Sequence, residues 1–167
     1  MAMLYIEDTM KLFLIRHGSA EDGSIDSLRN LTQHGRQEAS QTGNSLKSYG
    51  VRFTEIWHSP LNRAHETGSV IADILNVDKL RISESLKPES NVEDFEENFL
   101  QSLHLKELCI VSHLPYIPNL ICYLCDLRSS QLIFPIAPAS CTILEYDRKI
   151  GWSLLAHMAV NDHRAQI

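Results

Sequence analysis

Four short apolar runs, each followed by a stretch long enough for a helix, restrict this chain more than any other feature. They are Lys11–Arg16, Glu55–His58, Leu80–Ile82 and Leu108–Ser112. Apolar runs of this length, bounded by turn-forming residues, read as buried strands. The stretches between them carry helix signals. Thr32 is a good N-cap for a helix running to Tyr49, where Gly50 stops it, and Ala39, Thr42, Leu46 and Tyr49 fall on one face. Ser59 as N-cap and Pro60 as first residue open a second helix to Leu75, with Ala64, Thr67, Ile71 and Ile74 facing inward. A third is predicted over Val92–Leu103, and a fourth from Pro115 to Cys125. Two closing strands, Cys141–Tyr146 and Trp152–Met158, flank a turn at Asp147–Gly151. Strands alternating with helices predict a three-layer α/β/α domain around a mostly parallel central sheet.

At 167 residues the chain suits one domain, predicted over 10–160, with an N-terminal extension at 1–9 and a C-terminal tail at 161–167. Fifteen cationic side chains against 21 acidic ones give a net charge of −6, which argues against nucleic acid as a partner. No stretch approaches the roughly 20 apolar residues that cross a bilayer, so no membrane partner is expected. Cys109, Cys122, Cys125 and Cys141 lie in apolar stretches, and the N-terminus lacks signal-peptide features. Reduced thiols and a cytoplasmic setting are the expectation. Cys122-Tyr-Leu-Cys125 matches a redox spacing, but its apolar surroundings favour packing over an activated thiolate.

In parallel sheets of this kind, ligands bind beyond the carboxyl ends of the strands. There the first run delivers Arg16-His17-Gly18, the second Ser59-Pro60 with Arg63 a turn later, and the fourth Ser112-His113. Two arginines and two histidines thus reach one end of the sheet from three segments. A guanidinium fork suits phosphoryl oxygens, a helix N-terminus favours anions, and histidine is a competent nucleophile. The pattern points to a phosphoryl group as ligand.

These residues resemble the histidine phosphatase superfamily, whose R-H-G hallmark appears as Arg16-His17-Gly18. The likeness continues through Leu31-Thr32-x-x-Gly35, Ser59-Pro60-Leu61-x-Arg63-Ala64-x-x-Thr67 and Val111-Ser112-His113-Leu114-Pro115. It covers nearly the whole chain and is greatest toward the SixA-type phosphohistidine phosphatases. The resemblance implies a histidine-phosphatase/phosphoglycerate-mutase-like fold and a phosphatase of a phosphohistidine-bearing protein, with a phosphorylated histidine intermediate. It also implies that His17 is the phosphorylated residue, that Arg16, Arg63 and His113 surround and bind the phosphoryl group, and that Gly18 joins that phosphate site by letting the backbone pass close to the pocket. Two guanidinium groups beside His17 should depress its pKa and keep it neutral for attack, while His113 is left open as neutral donor or cation. Mutase-type relatives take a general acid from the segment after the third strand. Glu84 and Glu89 lie there but match no such motif and read as solvated carboxylates.

Three rivals remain: a phosphomonoesterase for metabolite phosphates, a phospho-binding module without turnover, and a thiol-redox protein. His34, His58, His65, His104, His157 and His163 show no metal-ligand spacing, so neither metal nor cofactor is expected.

Overall fold

The computed structural model describes residues 9–100, 102 and 105–160. The strands are β1 (Thr9–Arg16), β2 (Ile56–His58), β3 (Leu80–Ile82), β4 (Glu107–Ser112), β5 (Cys141–Asp147) and β6 (Gly151–Met158). Between them lie helices α1 (Gln33–Ser48), α2 (Asn62–Leu75), α3 (Asp94–Leu100) and α4 (Tyr116–Leu124). One sheet holds all six strands in the order β3-β2-β4-β1-β5-β6. The first four in that order are mutually parallel, whereas β5 runs antiparallel to β1, and β6 antiparallel to β5. The expected three-layer architecture is therefore present.

Alternation of side chains along the central strands produces two cores. Leu12 and Leu14 of β1, with Leu108 and Ile110 of β4, face a cluster holding Phe95 and Phe99 of α3 and Tyr116, Ile117, Leu120 and Ile121 of α4. Phe13 and Ile15, with Cys109 and Val111, face the opposite cluster, which takes Leu46 from α1 and Ala64, Ile71 and Ala72 from α2. A strand buried on both faces has no polar side, which is why these runs read as unbroken apolar sequence.

Several boundaries differ from expectation. Thr9 pairs with Asp147, so the sheet takes in a residue expected to lie in the extension; residues 1–8 and the tail lie outside the described residues. Helix α2 starts at Asn62 with Leu61 at the cap, because Ser59 still belongs to the sheet edge: its amide bonds the Val111 carbonyl. Its hydroxyl accepts from the Leu61 amide at 3.4 Å instead of capping a helix directly. Tyr49 projects into solvent, 73% exposed, since the chain leaves α1 there and turns through Gly50 at φ +75°. Ile74 is half-buried rather than fully inward. Helix α3 is shorter than predicted, and positions 101 and 103 of the expected span lie outside the described residues. Thr32 does cap α1, accepting from the Gly35 amide at 2.9 Å.

The loop after β1 passes very close to the start of α1. A Cβ on Gly18 would sit 2.5 Å from the Gly35 carbonyl oxygen, and one on Gly35 would sit 2.0 Å from that of Ser19. Both obstacles are backbone, so neither side can yield cheaply. Gly35→Ala should cost at least the 1–3 kcal/mol typical of overpacking, read as a lowered midpoint in denaturant. Gly68→Ala, inside α2 with its nearest neighbours 3.7 Å from the new methyl, should be neutral or stabilising by up to about 1 kcal/mol.

Candidate active site

The carboxyl ends of β1, β4 and β2 lie side by side, and register decides what they bring together. Arg16 pairs with Ser112, while His58 pairs with Val111 and Ile82. His17 continues the ladder one step past β1, its amide donating to the Ser112 carbonyl at 3.0 Å. His113 follows directly on β4, and Arg63 occupies the first turn of α2. The four residues singled out from sequence therefore meet at one place.

The partners of His17 define its tautomer. Its Nδ1 lies 2.7 Å from the Gly18 carbonyl oxygen, which can only accept, so Nδ1 carries the proton. Arg63 donates from Nε to the other ring nitrogen, Nε2, at 3.3 Å, as a lone pair there requires. The His113 ring lies with its centroid 5.0 Å from that of His17. His113 is 1% exposed, yet neither of its ring nitrogens has a hydrogen-bond partner among the described residues. Arg16 donates from Nη1 to the Ile136 carbonyl at 2.8 Å, and its buried Nε is likewise unpartnered. Three uncommitted polar nitrogens in one buried cluster are costly in a packed protein. They provide the cluster with hydrogen-bonding capacity for an oxyanion.

Burial is the main force on both rings. It lowers the pKa of His17 to about 4, aided by Arg63 and Arg16 and opposed by the Gly18 carbonyl. It lowers that of His113 to about 3, aided by His17 and Arg63 and opposed by Asp26. Both imidazoles are thus neutral at pH 7, which leaves a nucleophilic lone pair on His17 Nε2.

Neighbouring contacts hold this arrangement. The Gly18 amide donates to Thr67 Oγ1 at 3.1 Å, and that hydroxyl donates to the Arg63 carbonyl at 2.7 Å, tying the loop to α2. Gly18 thus has its amide on Thr67 and its α-carbon against the Gly35 carbonyl, where no side chain fits. Glu38 accepts from the Ser19 amide at 2.7 Å and its hydroxyl at 3.1 Å. Ser112 donates to the Leu86 carbonyl at 2.7 Å. One residue has no sequence signal at all. Asp26, in a short 3₁₀ turn at Asp26–Leu28, binds the outer edge of Arg63 through its carbonyl at 2.8 Å and Oδ2 at 3.0 Å.

The other candidates fall elsewhere. Glu84 is exposed and paired with Lys87 at 2.6 Å, and Glu89 is exposed too. His34 pairs with Glu38 at 3.1 Å, His58 meets His65 at 3.3 Å, and His157 stacks on Phe134. His104 and His163 lie outside the described residues. Among the described residues no cluster of His, Cys, Asp or Glu has the makings of a metal site. Cys122 and Cys125 are free and only half-buried, because the apolar run sits on a short helix with one side toward solvent. Burial, with help from Cys122, pushes the Cys125 thiol up to about 11, the reverse of an activated redox cysteine.

A sequence model described as the histidine phosphatase superfamily (branch 1) matches residues 12–102. The chain belongs to the histidine phosphatase superfamily. Within the superfamily it is 31% identical over 141 residues to phosphohistidine phosphatase SixA of Escherichia coli (strain K12), covering 81% of this chain and 87% of that protein. A solved structure of the protein histidine phosphatase SixA complexed with tungstate superposes with a TM-score of 0.80 at 26% identity, covering 90% of this chain and 97% of that one. The mitochondrial serine/threonine-protein phosphatase PGAM5 of Mus musculus is 36% identical over 100 residues, which is 56% of this chain but 35% of that protein.

The depressed histidines predict acid sensitivity with a definite sign. Unfolded, each ring takes up a proton near pH 6.5; folded, His17 does so only near 4 and His113 near 3. Below pH 6.5 the unfolded state therefore binds more protons, and stability falls as pH drops, by about 1.4 kcal/mol per pH unit per histidine. The fall ends near 4 for His17 and near 3 for His113. Denaturation followed from pH 7 to pH 4 should show a shallower loss in His113→Gln than in the unsubstituted protein.

Proposed function

We propose that this protein is a phosphohistidine phosphatase, acting on a phosphorylated histidine of a partner protein through a phosphoryl intermediate on His17. The observation that carries the reading is the unprotonated His17 Nε2, held by Arg63 at 3.3 Å with the His113 ring beside it, in a site where the described residues offer no protonated carboxylic acid to a leaving group. Similarity to SixA, whose name states that activity and whose solved complex holds the oxyanion tungstate, supports the same reading.

In the first step the Arg63 Nε–H hydrogen bond passes from His17 Nε2 to a phosphoryl oxygen, the freed Nε2 lone pair attacks phosphorus in line, and the bond from phosphorus to the substrate's imidazole nitrogen breaks. The leaving ring departs with that electron pair, neutral because its other nitrogen holds a proton. In the second step water attacks the phosphoryl group on His17, the bond to Nε2 breaks, and inorganic phosphate is released with a proton. Arg16, Arg63 and His113 meet the charge that accumulates on the three peripheral oxygens, a term usually worth several kcal/mol. Those groups serve here in the place a metal ion occupies in other phosphoryl-transfer enzymes.

The absence of a positioned acid bears on the substrate. An ester expels an alkoxide, which wants a proton from a donor at the right place. Imidazole, with an unperturbed pKa near 6.5, leaves as the neutral ring once its other nitrogen is protonated, and solvent or a weak donor can supply that proton. Asp26, the carboxylate against Arg63, is held ionised by that arginine and so carries no proton to give. A reducing, cytoplasmic setting belongs to the same proposal, supported by four unpaired cysteines.

A phosphohistidine-bearing domain should be dephosphorylated faster than sugar phosphates or phosphoserine peptides, at a rate unchanged by a chelator. Glu84→Gln and Glu89→Gln should each cost less than threefold, against the 10²–10⁴-fold expected on losing a general acid. Faster turnover of a phosphate ester, with either glutamine variant inactive, would establish a phosphomonoesterase instead. Loss of activity to chelator, restored by added metal, would overturn the metal-free mechanism.

A further inference from the structure

We infer that Asp26 is the positioning residue for Arg63 and that the reaction depends on it; this rests on the phosphoryl pocket proposed above. A guanidinium offers donors along more than one edge, and only one edge can face the site. Asp26 takes the outer edge twice, through its backbone carbonyl on Nη1 at 2.8 Å and Oδ2 on Nη2 at 3.0 Å. That leaves Nε directed at His17 Nε2, 3.3 Å away. With Nη1 and Nη2 held by Asp26, the guanidinium of Arg63 is kept beside His17, within reach of a phosphoryl group arriving at Nε2.

Asp26 is itself anchored. Its other oxygen, Oδ1, accepts from Arg29 Nη1 at 3.1 Å, and Arg29 Nε donates to the Glu21 carbonyl at 2.7 Å. Asn62, the first residue of α2, donates to the Leu28 carbonyl at 3.3 Å and to Asn30 Oδ1 at 3.1 Å. The turn is therefore fastened to the helix that carries Arg63, one residue before it. Arg63 is 5% exposed, whereas the Asp26 side chain is 61% exposed. An exposed carboxylate contributes little to stability as an ion pair. Its value lies in fixing a buried donor, and it holds that donor without occupying the inner edge that faces His17.

The test is a double-mutant cycle between Asp26 and Arg63, read as kcat/KM on the phosphohistidine domain and as inhibition by orthovanadate. Asp26→Ala should lower kcat/KM about 10- to 100-fold, the scale of a misplaced catalytic group, with most of the loss in kcat. In the Arg63→Ala background the same change should cost less than twofold, because its target is gone. Asp26→Asn keeps an acceptor oxygen for Nη2 and should recover most of the rate. Equal losses in both backgrounds would show that Asp26 does not act through Arg63. A gain in rate or tighter vanadate inhibition in Asp26→Ala would show a carboxylate competing with the phosphoryl group. Either result overturns the inference. An unsubstituted protein that binds vanadate but turns over no phosphohistidine domain would instead count against the proposed function. The cycle is then still read in vanadate dissociation constants from direct binding, where the same non-additivity is expected.

Discussion

The hydrogen bond from His17 Nδ1 to the Gly18 carbonyl determines what the rest of the site can do. It places the only ring proton on the side facing the chain's own backbone and leaves the lone pair on Nε2. The loop that makes it also turns back against the start of α1. That turn requires two glycines: a Cβ on Gly18 would meet the Gly35 carbonyl, and one on Gly35 would meet the Ser19 carbonyl. Sheet register, the start of α1 and the tautomer of a single imidazole are thus parts of one geometric constraint.

Electrostatics follows from the same burial. A protein with net charge −6 repels a dianion at long range, so affinity must come from a few cations placed close together. Arg16 and Arg63 supply permanent charge. They also lower the pKa values of His17 and His113 on top of the larger effect of burial. In the proposed mechanism, two arginines and two neutral imidazoles bind an anion without protonating the group that attacks it. A histidine that gained a proton at pH 7 would have no lone pair to offer. The same burial that keeps both rings neutral destabilises the fold in acid, so stability and the proposed reactivity draw on one pair of rings.

Much of this was legible because strand ends and chemistry are adjacent in the chain. Arg16-His17-Gly18 and Ser112-His113 sit at the close of apolar runs whose burial on both faces is plain from composition alone. Arg63 follows Ser59-Pro60 at a spacing that any helix beginning nearby would honour, even though that helix starts at Asn62. Other features depend on contacts that sequence does not display. Ser59 remains with the sheet because its amide finds Val111, a residue far along the chain. Tyr49 keeps the helical spacing of Ala39, Thr42 and Leu46 but falls where the helix has already ended. Asp26 lies in a polar loop that resembles any other polar loop, and its link to Arg63 spans 37 positions. No local pattern encodes such a pairing; only the folded chain brings it into view.

The central claim is that phosphate passes through His17, and rapid quenching of the reaction with a phosphohistidine domain labelled on phosphorus tests it most directly. Quenched in base, the enzyme should carry one acid-labile, base-stable phosphoramidate mapped to His17, formed and lost at rates that account for turnover. His17→Ala should carry none and should not turn over. Release of phosphate by an enzyme that never becomes labelled, or label at another residue while His17→Ala remains active, would contradict the account.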